Sequence, residues 1–404
     1  GFLLLPATEP AGMQWRAANA PVLPRAVLTP IPAGHVQRCA GGRRPISSGR
    51  RRGTAAGTAA LSICAGACGR RPGRARAAAA AEGPTKGHFL EELDRSDPGR
   101  SGLRSEWAVA GEVVFEETTD ASGVVRVTGS GATSGGSWRR LRFNGNTEQS
   151  VLLLDASKKP NYEALAFGYL KSLAAVGAAT ARALGRPSAL RVLVIGVGLG
   201  ALPGWFSTKM QASVDAVELD PAVLKAAAVV GGVGTVCNGA AQCAAEASQE
   251  AAPGSLRFFC CDGAEYVAAA RDAGLRYDVV VVDVFDGSGE TPEAFLTESF
   301  GEALGMIAEC AVANLTCPVP MWDEAHEYNA PQAGALVASW RRGFGKTAGV
   351  WTVRVAEGQN IIPAVTHVGS PPESFLAQAA EELAVEGKFA FDPVRRVTFR
   401  RRDW

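Results

Sequence analysis

The segment Arg191–Pro221, RVLVIGVGLGALPGWFSTKMQASVDAVELDP, constrains the fold more than any other stretch of the chain. It opens on Val192–Ile195, an apolar run rich in β-branched residues, which is the pattern of a strand buried on both faces. Gly196, Gly198 and Gly200 follow at alternate positions. Next comes a segment able to form a helix, then a second apolar strand that ends in Glu218. Strand, glycine turn, helix and acid-terminated strand make half of a nucleotide-binding α/β unit. The glycines let the backbone turn tightly and approach a ligand, and the helix N-terminus offers free N–H groups. Glu218 lies 18 residues past Gly200, where a carboxylate can accept both hydroxyls of a ribose. Hydrogen bonds to a charged group of that kind are worth about 1.5–3 kcal/mol each. The glycines alone also fit an ordinary tight turn. Gly196 to Ala201 satisfies the dinucleotide pattern G-x-G-x-x-G/A as well, so the motif does not name the ligand.

Downstream, acids recur where strands end. SLRFFCCDGAEYVAAARD reads as strand, turn and helix, with Asp262 and Gly263 at the turn. YDVVVVDVFDG is a buried strand with Asp283 at its end and Asp286 in the loop that follows. Ligands of open α/β sheets bind at the carboxyl ends of the strands, and four placements there point to one site. Asp262 taken singly also fits an ordinary helix N-cap. A helix over 331–345, two strands in VWTVRVAE and NIIPAVTH close enough to pair antiparallel, and a helix over about 372–386 complete the large domain, 159–390. Ahead of it, EVVFEETT, VVRVTGS, WRRLRFN and SVLLLD alternate with turn signals such as Asn144-Gly145, predicting a small antiparallel sheet over 110–158. NYEALAFGYLKSLAAVGAATARAL, from Asn161, has helical spacing, and the Gly/Ala-rich stretch 231–253 reads in part as an insertion.

The formal charge of +1 conceals a division. Residues 1–82 hold twelve Arg, no Lys and two acids, so that the rest of the chain is net acidic, a poor match for sequence-independent nucleic-acid binding. The leader, 1–83, is rich in Ala, Gly, Ser and Arg and has no run long enough for a membrane span. This is the composition of an organelle transit peptide, chloroplast first and mitochondrion second; a basic interaction tail is the plain alternative. A polar linker fills 84–109, and the basic end 391–404 reads as a solvated tail. The nine Cys form no CxxC and the four His are scattered, which predicts neither a metal site nor a disulfide framework.

Taken in order, these blocks resemble the spermidine synthase-like group of class I S-adenosylmethionine-dependent methyltransferases. The resemblance runs over roughly 110–370 and rests on Asn144-Gly145 with Gln149-Ser150, VLVIGVGLG, VELDP, CCDGAEYV, YDVVVVDVFD followed by P-x-x-x-L-T-x-x-F, and the closing strands with Asn360. It implies a Rossmann-like α/β fold: a mostly parallel seven-stranded sheet with an antiparallel last strand, preceded by a small antiparallel β domain. It implies that Gly196, Gly198 and Gly200 cradle S-adenosylmethionine, that Glu218 binds the ribose, and that Asp262, beside Gly263, binds the adenine amino group. Asp283 would sit beside the sulfonium and the acceptor amine, Asp286 would contact substrate, and Gln149 would line the cleft. One extra residue after Asn144-Gly145 displaces Gln149 from the family spacing. A homodimer is the assembly the resemblance suggests.

One departure decides between reactions. Polyamine synthases read G-G-G-D-G, with the Asp holding the amine of decarboxylated S-adenosylmethionine; this chain has Leu199 there. An apolar side chain cannot anchor an ammonium, and removing one partner of a buried charge pair costs about 3–5 kcal/mol. Val284-Phe285 replaces a small polar pair and Gly287 a proline, while GxGxGxLP resembles the methyltransferase-like protein 13 type. The expected activity is therefore methyl transfer to an amine, on a small molecule or a protein, with Asp283 and Asp286 as the catalytic acids. Tyr162 and Glu163 are candidate acceptor contacts, Tyr162 equally a core aromatic. The loop 287–292 reads as a lid or an ordinary surface loop. Aminopropyl transfer, a nicotinamide-dependent oxidoreductase and a non-catalytic adenosyl-binding scaffold are the competing readings.

Overall fold

In a computed structural model, the described residues are 111–132, 136–144, 147–186, 189–286, 289–316, 331–355 and 360–397. The expectations for the leader, the linker, Gly145, Gly287, Cys317 and the last seven residues lie outside them. All described residues belong to one compact unit, Ala78–Trp404.

The chain begins with a four-stranded antiparallel meander: β1 (Glu112–Thr119), β2 (Gly123–Gly131), β3 (Ser137–Phe143) and β4 (Thr147–Leu154). Then follow α1 (Gly168–Ala183), β5 (Arg191–Ile195), α2 (Ala201–Lys209), β6 (Ser213–Glu218), α3 (Pro221–Gly231), β7 (Thr235–Asn238), α4 (Ala240–Ala247), β8 (Leu256–Cys260), α5 (Gly263–Asp272) and β9 (Tyr277–Val282). The last third holds α6 (Glu298–Ile307), β10 (Ala308–Ala313), β11 (Leu315–Thr316), α7 (Pro331–Phe344), β12 (Gly349–Arg354), β13 (Asn360–Thr366), α8 (Glu373–Val385) and the short α9 (Val394–Val397). No helix of the described residues is long and apolar enough to cross a membrane.

The second sheet runs β12-β13-β10-β9-β5-β6-β8-β7, with β11 continuing β10 along the same edge of β13. From β10 to β7 every pairing is parallel, and β13 is antiparallel to its neighbours. The continuous apolar runs of β5 and β9 follow from helices on both faces. Val192, Val194, Val279 and Val281 enter the core under α1, α3 and α8, whereas Leu193, Ile195, Val280 and Val282 enter the core under α4 to α7. The mostly parallel sheet, its antiparallel last strand and the preceding small β sheet are as the sequence predicts.

Three details differ from the sequence reading. The helix expected from Asn161 starts only at Gly168. Pro160 bridges back to Leu154, and Asn161 Oδ1 accepts from the Glu163 amide, so side-chain and bridge bonds hold the backbone out of a helix. The stretch 231–253 contains a βα unit, β7 and α4, which adds a strand parallel to β8 at the sheet edge; with it and the two-residue β11 the sheet has nine strands where seven are expected. In the tail, α9 packs on α1 and α8 with Arg396 and Val397 buried, so its described part is not a solvated end.

The added unit is fastened by a buried ionic cluster. Asp215 of β6, 2% exposed, accepts from Arg257 Nε (2.8 Å), Arg191 Nη2 (3.4 Å) and the Tyr277 hydroxyl (2.8 Å). The same two arginines donate to the carbonyls of Glu246 and Ala247 at the end of α4, where a helix carries partial negative charge. Removing one partner of such a cluster strands the others. Asp215→Ala is expected to lower the unfolding free energy by about 3–5 kcal/mol, measured by urea denaturation of the full chain.

Candidate active site

The carboxyl ends of β5, β6, β8 and β9 meet at one edge of the large sheet, and the glycine loop lies across it. Gly196 and Gly198 have φ of 92° and 54°, in the left-handed region. A Cβ on Gly196 would stand 2.1 Å from the Asp283 carbonyl oxygen, and one on Gly198 would stand 2.8 Å from the Ser150 Cβ. The loop is thus pressed between the end of β9 and the fourth strand of the small sheet. Ser150 Oγ accepts from the Leu199 amide at 3.1 Å, tying the two sheets together. A second tie runs from the Thr119 hydroxyl to Asp220 Oδ2 (2.6 Å), and Asp220 also caps α3 through the Ala222 amide.

The acids face this edge. Glu218 is half-buried and holds the loop from below: Oε2 accepts from the Val197 amide (3.0 Å) and Oε1 from the Asp220 amide (3.1 Å). Burial pushes its carboxyl above the ordinary range, with the neighbouring Asp220 adding to the shift. Each oxygen has a lone pair left for a ribose hydroxyl. Asp262 is the N-cap of α5, and both bonds, from the amides of Ala264 (2.7 Å) and Glu265 (2.9 Å), land on Oδ1. The capping and ligand readings of Asp262 are therefore compatible, with Oδ2 as the ligand oxygen. Leu219, between Glu218 and Asp220, is 57% exposed and gives the edge an apolar surface that a flat ring can cover.

Asp283 lies at the centre. Its amide donates to the Ile195 carbonyl, which fixes it against the strand that starts the glycine loop. Its Oδ1 accepts from Asn314 Nδ2 at 2.9 Å. Burial pushes the carboxyl up to about 6, Glu218 adds to the rise, and Asn314 opposes it. The Tyr169 hydroxyl is pushed far above its ordinary value, by burial first and then by the negative charges of Asp283 and Glu148. Tyr169 stacks on Phe167 with ring centroids 5.4 Å apart, and its hydroxyl donates to the Gln149 carbonyl at 3.4 Å. A carboxyl with a near-neutral midpoint beside a protonated phenol can take a proton from an amine at physiological pH.

The remaining candidates divide. Gln149 is brought to this edge, and the extra residue ahead of it has a structural form. Leu141 pairs with Ser150 and Arg142 with Glu148, so Gln149 is the unpaired residue of a bulge. The reason for Gly263 is packing: a Cβ there would lie 2.3 Å from Ile195 Cγ2, so the residue lets α5 close on β5. Asp286 is exposed, and its Oδ1 accepts from the Glu290 amide in the turn after β9. Tyr162 and Glu163 are not brought to the site. The Tyr162 ring lies against Gly204 of α2, and Glu163 pairs with Lys209 (3.1 Å) at the last turn of that helix, toward the opposite edge of the sheet. Tyr169, Ser150, Asn314 and Leu219 were not singled out by the sequence reading. A tyrosine in the first turn of the first long helix is the available signal for Tyr169.

Leu199 is 1% exposed and belongs to the main core, so the position is apolar and carries no charge toward the glycine loop. Among the described residues no group of His, Cys, Asp and Glu could hold a metal ion. Cys237 and Cys243 stand 2.9 Å apart with free thiols, and burial pushes them up to about 12 and about 11.

The strand order, the antiparallel β13 and the small leading sheet settle the fold. It is a Rossmann-like α/β fold of class I methyltransferase topology. No protein-family model matches the chain, and no curated protein matches it. Among solved structures, it is similar to a probable spermidine synthase from Corynebacterium glutamicum, at 19% identity over 67% of this chain and 86% of that one, TM-score 0.45. It is also similar to human methyltransferase-like protein 13 in complex with SAH, at 21% identity over 58% of this chain and 91% of that one, TM-score 0.37. Spermidine synthase from Thermotoga maritima is similar at 17% identity over 72% and 84%, TM-score 0.40.

A raised carboxyl is a stability cost at neutral pH. Asp283 titrates in the folded chain near about 6 and in the unfolded chain near 3.8, so its folded state prefers the proton. That preference favours folding fully below the unfolded value and is lost as pH rises through about 6. Asp283→Asn is therefore expected to raise the unfolding free energy by about 2–3 kcal/mol at pH 8 and by much less at pH 4, read from denaturant melts at both.

Proposed function

We propose that this chain transfers a methyl group from S-adenosylmethionine to an amine. The observation that carries the reading is Asp283: a carboxyl shifted to about 6, held at the mouth of the glycine loop, with one oxygen bonded to Asn314 and the other left for an acceptor. The residues present fit the donor. The glycine loop packs directly on Asp283 and Ser150 at the sheet edge, and Glu218 at the end of the next strand keeps a lone pair on each carboxylate oxygen for ribose hydroxyls. When bound, S-adenosylmethionine supplies an electrophilic methyl carbon on a sulfonium. Glu218, Asp262 and Leu219 hold the adenosyl part, which fixes the reacting centre against Asp283 and turns a bimolecular encounter into a positioned one. An amine arrives protonated at neutral pH, and Asp283 accepts that proton so that the nitrogen lone pair is free. Tyr169 closes the wall beside the carboxylate and stays protonated there. Leu199 favours the methyl donor over its decarboxylated form, because the position that anchors an aminopropyl ammonium is apolar and buried. The basic, acid-poor leader supports import into an organelle, the chloroplast first.

Calorimetry on the full chain with S-adenosylmethionine, its decarboxylated form and NAD tests the donor. The first should bind most tightly, and Glu218→Ala should weaken it at least about tenfold, the loss of one or two charge-assisted hydrogen bonds. Binding of NAD alone would refute the reading. A methyl-transfer assay over small and protein amines tests the reaction. The rate should rise with pH through a midpoint near about 6, and Asp283→Asn should lose that limb together with about 10²–10⁴ in rate. Aminopropyl transfer to putrescine would reverse the ranking of the two reactions.

A further inference from the structure

Asn314 follows β10 and is 2% exposed. Its amide donates to the Val282 carbonyl, which places its side chain beside Asp283 on the next strand. A buried carboxamide is costly unless both its ends are bonded. Here both are: Nδ2 donates to Asp283 Oδ1 at 2.9 Å, and Oδ1 accepts from Asn360 Nδ2 at 2.9 Å. Asn360 is the first residue of β13. Because β13 runs against the parallel strands, its first residue falls at their carboxyl edge; a parallel strand would have put it at the opposite edge. The antiparallel strand thus delivers its first residue to the edge where the parallel strands deliver their last.

We propose that Asn360 and Asn314 form a polarised relay that orients Asp283 and stabilises its charged form, which makes both of them positioning residues for the base. The relay has one consistent polarity when Asp283 is ionised. A carboxylate only accepts, so Asn314 must turn Nδ2 toward it; the Asn314 oxygen then faces Asn360, which must present its own Nδ2. Without Asn360 the Asn314 amide is free to flip and turn an oxygen toward the carboxylate. The other titratable groups described near Asp283 bring it no positive charge. Glu218 at the end of β6 repels it, and Tyr169 of α1, which also faces Glu148 of β4, is a phenol with no positive charge. Asn314 is the favourable neighbour among the described residues. The relay also commits Oδ1, so an acceptor amine meets Oδ2. This inference rests on the reading of Asp283 as the base.

The test is a carbon-13 NMR titration of the full chain labelled at the aspartate carboxyl carbons, with the Asp283 signal assigned by its loss in Asp283→Asn. No ligand is needed. Asn314→Leu should raise the Asp283 midpoint by about one unit or more, the size expected for losing a hydrogen bond to a charged group. Asn360→Leu should raise it by a smaller amount, and Asn360→Gln, which keeps an amide donor, should return it toward wild type. A purely structural role would lower the unfolding midpoint in both leucine variants and leave the titration where it is. Equal midpoints in Asn360→Leu and Asn360→Gln would overturn the relay even if Asn314→Leu does not fold. A shifted titration in a chain that binds no adenosyl ligand would keep the relay and remove the methyl-transfer reading. Methyl transfer with an unshifted titration would do the reverse.

Discussion

The close approach of the glycine loop to Asp283 is the contact on which the rest of the site depends. With 2.1 Å between a hypothetical Gly196 Cβ and the Asp283 carbonyl oxygen, no side chain fits between the end of β5 and the end of β9. The same loop presses on Ser150, and the Leu199 amide completes the join to the small sheet. Two sheets built from different patterns, one alternating and one continuously apolar, therefore meet at Gly198 and Leu199. The large sheet sets the position of the acids, and the small sheet closes one side of the place they face.

That geometry brings negative groups together with little to neutralise them. Burial first, and neighbouring acids second, push Glu218 and Asp283 toward the protonated form and hold Tyr169 as a neutral phenol. Stability and chemistry pull in opposite directions here, as they do where a group is tuned for proton transfer. The fold compensates elsewhere. The Asp215 cluster pairs its carboxylate with two arginines and a tyrosine, and capping bonds satisfy Asp220 and Asp262. An edge rich in carboxyls is also a natural receiver for a cationic ligand.

The parts of the fold legible in the sequence were those governed by short-range rules. Val192–Ile195 and Tyr277–Val282 read as doubly buried strands because every residue of them is apolar, and their alternate residues do enter two different cores. Glu218, Asp262 and Asp283 were legible because a strand end is a sequence position as well as a place in space. The roles of Tyr169, Ser150 and Asn314 were not, since they depend on contacts that no spacing rule encodes: a helix tyrosine near the carboxylate at a strand end, a serine against the glycine loop, an asparagine joining two strands. Tyr162 reads equally as an acceptor contact and a core aromatic, and its ring packs on α2; the helical spacing from Asn161 starts seven residues before the helix itself because Asn161 and Pro160 hold the backbone in a turn. Gln149 was displaced by one residue from the family spacing, and a β-bulge absorbs that residue, a feature visible only once the strands are paired.

The central claim is that this edge binds an adenosyl sulfonium donor with Asp283 at the reacting centre. A crystal structure of the full chain with S-adenosylhomocysteine tests it most directly. The account requires both ribose hydroxyls on Glu218, the adenine over Leu219 beside Asp262, and the sulfur facing Asp283 with the Asn314 bond intact. A ligand bound elsewhere on the chain, or bound at the glycine loop with its sulfur turned away from Asp283, would contradict it.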